Sequence, residues 1–229
     1  MIILLLKLLL ILVIILIIIS IININKYNKN SKLIKLDSFN DIYKNKRALD
    51  PLLFDNLDVD LDVDIIKSKP NNYYEENNTL IRLNDFEKDK DINIYENNKL
   101  ILDFSLTDKC DYLYDIFSGY LYYNKQYFGS LLQNSYESKL KKNSNNLLLI
   151  GNIFGNCNIL LINPKHKEDI ENQDINNLKK WSIITNLKKN ELLYIPTNWY
   201  YLIEIIDFTF LFHIKSDSIF TFFYNKYRY

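Results

Sequence analysis

The alternating aspartates at residues 58–64 are the first part of this chain that could do chemistry. The segment reads Asp-Val-Asp-Leu-Asp-Val-Asp, and hard divalent cations prefer carboxylate oxygens as ligands. A metal held there would suit a transferase that acts on nucleotide sugars. The chain, however, shows no alternation of strands with long helices and no Gly-rich phosphate loop. We therefore favour a solvated acidic strand or loop; as a strand, it would place the four aspartates on one face and the three apolar residues on the other.

Histidine, the commonest metal ligand and general base, is scarce in this sequence. The chain has two, His166 and His213. His213 ends an aromatic-rich run, residues 208–213, and is predicted to be one side of a strand rather than a ligand. His166 lies between two lysines and is predicted to be exposed. The sequence has no Gly-x-Ser-x-Gly motif and no Cys close to a His, so it gives little support for nucleophilic catalysis.

Residues 1–23 are predicted to form a transmembrane anchor. Ile, Leu and Val fill residues 2–22 except at Lys7 and Ser20. About 20 apolar residues in a helix cross the ~30 Å hydrocarbon layer of a bilayer. A cleaved signal peptide is the alternative, but such peptides have a shorter apolar region and a small-residue cleavage site. Four lysines follow the segment, so the positive-inside rule predicts a single-pass protein with its C-terminal domain on the cytoplasmic side.

Composition narrows the function of the remaining chain. Its 28 basic and 28 acidic residues balance, which leaves no electrostatic footprint of a nucleic-acid-binding protein. The two cysteines, Cys110 and Cys157, have no CxxC spacing, in agreement with a reducing compartment. We interpret both as small buried hydrophobic residues.

The chain beyond the anchor is predicted to be a basic juxtamembrane linker, residues 24–47, and one β-rich domain, residues 48–229. Residues 67–79 are expected to be a loop, and residues 110–133 are compatible with helix or strand. Short strands are predicted at residues 100–104, 147–150, 159–162, 181–184, 192–195, 202–206, 208–214 and 219–224. Many short strands at close spacing favour a sandwich, jelly roll or barrel.

One segment, residues 187–201, carries a resemblance to a known family. It reads Leu-Lys-Lys-Asn-Glu-Leu-Leu-Tyr-Ile-Pro-Thr-Asn-Trp-Tyr-Tyr. In it, Asn190 can adopt the positive φ that a tight turn requires, Glu191 follows, Pro196 ends a strand and Trp199 fills one end of a barrel. The segment resembles a motif of the cupin-like, JmjC-related oxygenases. The match extends weakly over residues 146–206 and implies a double-stranded β-helix with some helix.

The same resemblance implies an iron site that this chain does not reproduce. Family members hold Fe(II) through two His and one carboxylate, beside 2-oxoglutarate. The distal His of the motif falls at Tyr201, and a phenol is a poor replacement for imidazole at neutral pH. No His precedes His166, and Glu137 is the one carboxylate between residues 116 and 150. Glu137 and His213 are the remaining candidates for replacement ligands, and no metal is predicted.

The sequence therefore predicts a membrane-anchored, cupin-like domain that has lost the Fe(II) and 2-oxoglutarate site. We expect a non-catalytic binding or scaffolding module, with the lipid bilayer and a protein as its partners and no cofactor. One alternative is an active oxygenase, of the hydroxylase or demethylase type, with unconventional metal ligands. The other is an anchored transferase that uses the Asp-x-Asp run. Metal in the protein, or Tyr201 facing a polar interior, would favour an enzyme.

Overall fold

The structure is a computed structural model of the chain. It describes residues 2–24, 31–38, 41, 50–55, 57–59, 61, 64–87, 92–119, 122–166, 170, 178–218 and 221. In the N-terminal helix, side chains are described at residues 5–15 and 18. This described part of the chain is mainly β, as the spacing of its short apolar runs predicted.

The helices and strands have the following bounds within the described residues. The α-helices are α1 Ile2–Ile24, α2 Asp64–Lys67, α3 Asn98–Asp103 and α4 Thr107–Phe117. Short 3₁₀ turns lie at Leu83–Glu87, Pro164–His166 and Lys179–Trp181. The strands are β1 Ile34–Leu36, β2 Leu52–Phe54, β3 Tyr73–Glu76, β4 Thr79–Arg82, β5 Ile94–Asn97, β6 Tyr122–Leu132, β7 Lys141–Lys142, β8 Leu147–Phe154, β9 Cys157–Ile162, β10 Ser182–Leu187, β11 Leu192–Tyr194, β12 Tyr200–Ile205 and β13 Thr209–Ser218.

Helix α1 coincides with the apolar segment predicted at residues 1–23. It has 23 residues, and Lys7 is the one charged residue among them. Its large apolar side chains, where described, are between 43% and 68% exposed. Among the residues described with their side chains, no helix is long and apolar enough to cross a membrane.

The strands of the body form two large sheets and one hairpin. The seven-stranded sheet has the order β1-β2-β11-β8-β13-β6-β5, and the four-stranded sheet has the order β10-β9-β12-β7. Strands β3 and β4 form the separate hairpin. Neighbouring strands run antiparallel, except that β1 and β2 are parallel. Strand β13 lies inside the larger sheet, between β8 and β6.

The larger sheet is buried on both faces. In β8, Leu148 and Ile150 belong to a core between the two sheets, whereas Leu147 and Leu149 pack on the other face with α3 and α4. Successive side chains of a strand point to opposite faces, so a strand buried on both sides is a continuous apolar run. Residues 147–150 form such a run. The layers are thus the four-stranded sheet, the inter-sheet core, the seven-stranded sheet and the helices.

Two segments between residues 58 and 79 can be compared with their predictions. The alternating aspartates do not form a strand in their described part: Asp58 has a φ of +51°, which breaks an extended chain, and Asp64 begins α2. Residues 67–79, expected to be a loop, include β3 and the start of β4. Asn77 and Asn78 both have positive φ, the conformation that two-residue hairpin turns require. The segment was expected to be a loop because it is polar, but Asn77 and Asn78 form the turn of the β3–β4 hairpin.

Three further segments can be compared with their predictions. Residues 100–104 lie mostly in α3 and not in a strand, because the Asn97 side chain accepts a hydrogen bond from the Lys99 N–H and caps the helix. Residues 110–133, for which helix and strand were both compatible with the sequence, contain the end of α4 and then β6. The predicted linker includes β1, which pairs with β2 and belongs to the folded domain. The strand predicted at residues 219–224 lies outside the described residues except at Thr221.

Candidate functional site

The turn between β10 and β11 contains Asn190 and Glu191 of the sequence motif. Asn190 has a φ of +65°, the left-handed conformation predicted for it. The Glu191 carboxylate accepts a hydrogen bond from the Lys188 N–H at 2.7 Å. The turn is fastened to β8, because the Asn190 N–H donates to the Asn152 carbonyl at 2.8 Å and the Asn152 N–H donates to the Glu191 carbonyl at 2.9 Å. These two motif residues therefore fasten the β10–β11 turn to β8.

Pro196 and Trp199 lie in the connection from β11 to β12. Trp199 is 1% exposed and belongs to the inter-sheet core, and Pro196 is buried beside it. The Asn143 side-chain amide donates to the carbonyls of Ile195 and Pro196 at 2.8 and 3.1 Å. The Asn143 N–H donates to the Trp199 carbonyl at 2.8 Å. The connection is thus pinned to the segment after β7, and this part of the motif is also structural.

Tyr201, where the resemblance places a metal-binding His, lies in β12 and faces the inter-sheet core. It is 3% exposed and packs with Ile203, two residues further along the strand. Its ladder partner in β7 is Lys141, and the pair is antiparallel. Paired residues of neighbouring strands project from the same face of a sheet. Tyr201 and Lys141 therefore enter the space between the sheets side by side.

Polar side chains from both sheets meet around Tyr201. We call this group the inter-sheet polar cluster; its members are Tyr95, Glu96, Ser130, Tyr136, Lys141, Tyr201, His213 and Lys215. Glu96 forms ion pairs with Lys215 and, at 3.5 Å, with Lys141. The Lys141 ammonium also lies 3.8 Å from the centroid of the Tyr95 ring. Tyr95 stacks on Tyr136 at 6.1 Å and lies 5.8 Å from His213, ring centroid to ring centroid. One carboxylate thus lies between two ammonium groups and several aromatic rings.

A bulge in β5 brings Glu96 into the cluster. The pairing of β5 with β6 shifts between Ile94 and Asn97, so the two residues between them leave the regular ladder. Glu96 has a φ of +50°, which costs a non-glycine residue about 1–2 kcal/mol. Its N–H donates to the Ser130 hydroxyl at 2.9 Å, and its side chain is 18% exposed. The bulge turns a carboxylate toward the interior, where a regular strand would not place it.

The charges of the cluster stabilise an ionised Glu96. Burial by itself raises the pKa of this carboxyl group, but His213, Lys215 and Lys141 outweigh burial and lower the pKa to about 2. His213 takes part as a cation only in the acid range where the carboxyl group itself titrates. Burial lowers the pKa of Lys141, and the attraction to Glu96 opposes that effect. At neutral pH the cluster therefore contains a carboxylate held by two basic side chains.

His213 is the neutral imidazole of the cluster at physiological pH. It lies in the central strand β13 at 0% exposure, and burial lowers its pKa to about 4. Its Nε2 atom lies 3.1 Å from the Ser130 hydroxyl. Its Nδ1 atom has no hydrogen-bond partner among the described residues. The sequence placed His213 correctly on a strand, but its position inside a polar cluster was not predicted.

The side chains around Tyr201 do not fit an Fe(II) centre of the kind that the resemblance implies. The cluster supplies one imidazole and one carboxylate, and that carboxylate is already engaged by two ammonium groups. Protonated lysines have no lone pair to donate and repel a divalent cation. In the part of the chain that the structure describes, no group of three His, Cys, Asp or Glu side chains could hold a metal ion.

The other candidate residues lie apart from the cluster. Glu137 is exposed and forms an isolated bridge to Glu204 through the backbone. His166 packs on Trp181 with ring centroids 4.9 Å apart. The described aspartates of the 58–64 run are not members of the cluster. The structure therefore brings Tyr201 and His213 together and leaves the remaining sequence candidates outside.

Sequence reasoning missed Glu96, Lys141 and Lys215. Glu96 is one acidic residue in a polar stretch. Its side chain points inward because of the bulge in β5, and no sequence pattern predicts that bulge. Lys141 lies in a two-residue strand, too short for an alternation signal. Lys215 could have been found, because it continues the spacing of two set by Leu211 and His213, one residue beyond the strand predicted at residues 208–214.

Comparisons with known proteins leave the family of this chain open. No protein-family model matches the chain, and no curated protein matches it. Among solved structures, a conserved protein of unknown function from Streptococcus pyogenes aligns with 42% of this chain and 67% of its own length. The TM-score is 0.31 and the sequence identity is 6%. A likeness at this level carries no argument about function.

Proposed function

We propose that this protein is a membrane-anchored, cupin-like binding or scaffolding module whose ancestral iron site has been replaced by the inter-sheet polar cluster. The order of the strands supports the fold. From β6 to β13, eight strands distribute as β11-β8-β13-β6 in one sheet and β10-β9-β12-β7 in the other. Eight strands in two facing antiparallel sheets are typical of a jelly roll. Asn190 lies in the connection between β10 and β11, and Trp199 lies in the connection between β11 and β12, as the resemblance implies.

The observation that carries the functional proposal is the ladder pair of Tyr201 and Lys141. At the position where the resemblance requires a metal ligand, the chain has a buried phenol beside an ammonium group. That ammonium lies on the Tyr95 ring and pairs with Glu96. The interior is polar here, the feature that we expected of an enzyme, but its one carboxylate is already paired with two ammonium groups. A carboxylate engaged in this way supports a structural role better than a catalytic one.

The anchor is supported by the composition and length of α1. The 23 residues of α1, counted together with those whose side chains are not described, make a helix about 35 Å long, which matches the ~30 Å hydrocarbon layer. Its described leucines and isoleucines are exposed, and exposed apolar side chains on every side of a helix require an apolar surround. The lysines that follow α1 favour an orientation with the body on the cytoplasmic side of the membrane.

The test is metal content and turnover of the full chain in detergent micelles. Bound Fe, Mn and Zn are measured by mass spectrometry, and oxygen-dependent conversion of 2-oxoglutarate to succinate is followed in the same sample. We expect neither stoichiometric metal nor turnover. The Glu96→Gln variant is the matched control, because it removes the carboxylate of the cluster.

Two results would contradict the proposal. Stoichiometric metal that is lost in Glu96→Gln, together with turnover, would make the protein an oxygenase with unconventional ligands. Metal that is retained in Glu96→Gln but lost when the aspartates of residues 58–64 are replaced by Asn would favour the transferase alternative. A folded protein without metal or turnover leaves the binding module, and its protein partner is then sought by crosslinking at the membrane.

A further inference from the structure

The chain that follows α1 is joined to the folded body after a short interval. Helix α1 ends at Ile24, and the described chain resumes at Ser31, whose hydroxyl accepts a hydrogen bond from the Asn163 amide at 2.6 Å. The Ile34 N–H then donates to the Pro51 carbonyl at 3.0 Å, where β1 begins to pair. Seven Cα-to-Cα steps reach at most about 25 Å. The end of the body at Asn163 is therefore held within about 25 Å of the end of α1.

Asn163 identifies which end of the four-stranded sheet this is. It directly follows Ile162, whose ladder partners are Ser182 in β10 and Tyr200 in β12. Trp181, which precedes Ser182, is therefore at the same end and is 47% exposed. We call this region the tethered end of the sheet; its members are Asn163, Lys165, His166, Lys180, Trp181, Tyr200 and Lys142.

The side chains at the tethered end are of the kinds that favour a membrane–water interface. Trp and Tyr concentrate at the headgroup level of bilayers because one part of each ring is apolar and one part is polar. Lysines extend their charge to the headgroups from an apolar stem. Trp181 packs on His166, and the Lys142 ammonium lies 6.0 Å from the centroid of the Tyr200 ring. Lys165 and Lys180 are exposed beside them.

The charges at this end include one neutralised lysine. Lys179 pairs with Glu204 at 2.8 Å, so it offers little attraction to lipid. Trp181, the one exposed aromatic side chain among the members of this end, and the tether therefore carry the argument.

We propose that the tethered end of the four-stranded sheet lies on the bilayer surface, with Trp181 at the level of the lipid headgroups. The proposal rests on the membrane anchor proposed above. It adds an orientation: β10, β9 and β12 stand with the Trp181 end toward the lipid and the Ile206 end away from it. Ile206 is 45% exposed directly after β12 and lies six residues beyond Tyr200, about 20 Å further along the strand.

The full chain carries its own fluorescent reporters for this proposal. It has two tryptophans, the exposed Trp181 and the buried Trp199. The chain is reconstituted into phosphatidylcholine vesicles that contain a lipid with a nitroxide close to its headgroup, and acrylamide is the quencher in the aqueous phase. Trp181→Phe reports Trp199 alone, so subtraction gives the Trp181 emission. We expect the nitroxide lipid to remove most of the Trp181 emission and acrylamide to remove little of it.

A reporter at the opposite end is the matched control. Trp181→Phe with Ile206→Trp moves the exposed indole to the far end of the sheet, where acrylamide should quench it and the nitroxide lipid should not. The orientation is wrong if Trp181 is quenched by acrylamide and not by the lipid, or if both reporters respond alike.

An alkaline carbonate wash of the same vesicles separates this proposal from that of the anchor. Protein that resists the wash, but whose Trp181 is not quenched by lipid, retains the anchor and refutes the orientation. Protein that the wash extracts refutes both.

Discussion

Glu96 is the carboxylate on which the inter-sheet polar cluster depends, and Glu96→Gln tests that dependence. The variant keeps the shape of the side chain and removes its charge, so Lys141 and Lys215 lose their common partner. The lowering of the carboxyl pKa from 4.5 to about 2 corresponds to about 3 kcal/mol, but part of it comes from His213, which is neutral at pH 7. Breaking a buried ion pair by removing one partner costs about 3–5 kcal/mol. We expect the free energy of unfolding to fall by up to about 3 kcal/mol at pH 7.

The pH dependence distinguishes charge from packing. A carboxyl group whose pKa is lowered in the folded state stabilises that state above its unfolded pKa of 4.5. The stabilisation is lost as the pH falls toward about 2. Protonated Glu96 is then close to Gln in shape and charge. The difference between wild type and variant should therefore shrink to about half by pH 3.

The assay is urea unfolding of the full chain in detergent micelles, followed by the fluorescence of the buried Trp199 in a Trp181→Phe background. Asp111→Asn is the control for an exposed pair, since Asp111 and Lys125 are 41% and 45% exposed and such pairs contribute about 1 kcal/mol or less. A difference between Glu96→Gln and wild type that stays constant from pH 7 to pH 3 would refute the electrostatic reasoning.

Three further predictions can be checked on the same preparation. A Cβ at Gly151 would lie 2.2 Å from the Phe212 ring, so Gly151→Ala should cost about 1–3 kcal/mol in urea unfolding, and adding Phe212→Leu should restore part of it; additive losses would show that the contact is not the cause. Asn190→Ala should cost about 1–2 kcal/mol because of the positive φ, whereas Asn190→Gly should stay close to wild type; equal losses would place the cost in the lost amide instead. Burial raises the pKa of Cys110 and Cys157 to about 12, so neither thiol should react with a maleimide at pH 8 until urea unfolds the chain, and rapid labelling of the native protein would contradict their burial.

The strands with the strongest apolar runs could be predicted from the sequence. Residues 147–150 and 159–162 lie in β8 and β9. Both are short continuous runs of Leu and Ile, and such runs are typical of strands that are buried on both faces. The turn at Asn190 was predicted for a local reason, since few residues tolerate positive φ. The strand predicted at residues 100–104 was wrong because a run of five apolar and acidic residues fits a strand or a helix equally well. The residue that decides for a helix is its N-cap, Asn97, which lies outside the run.

The candidate site could be predicted only in part, because its members come from distant strands. Tyr201 was found through the motif, and His213 through its strand. Glu96 required knowledge of a bulge, and Lys141 required knowledge that a two-residue strand pairs with β12. A pairing register is a property of the whole sheet, and a local pattern does not contain it.

The position of β13 has a consequence for the order of events during synthesis. Residues 209–218 follow every other described strand in the sequence, yet they form the strand that joins β8 to β6. Until a ribosome has released them, β8 and β6 each carry an unpaired edge, and neither can be completed by earlier residues. During synthesis the seven-stranded sheet therefore stays incomplete after the apolar α1 has left the ribosome. Unpaired apolar edges are sites of aggregation, so the interval before β13 arrives is when this protein needs protection by chaperones.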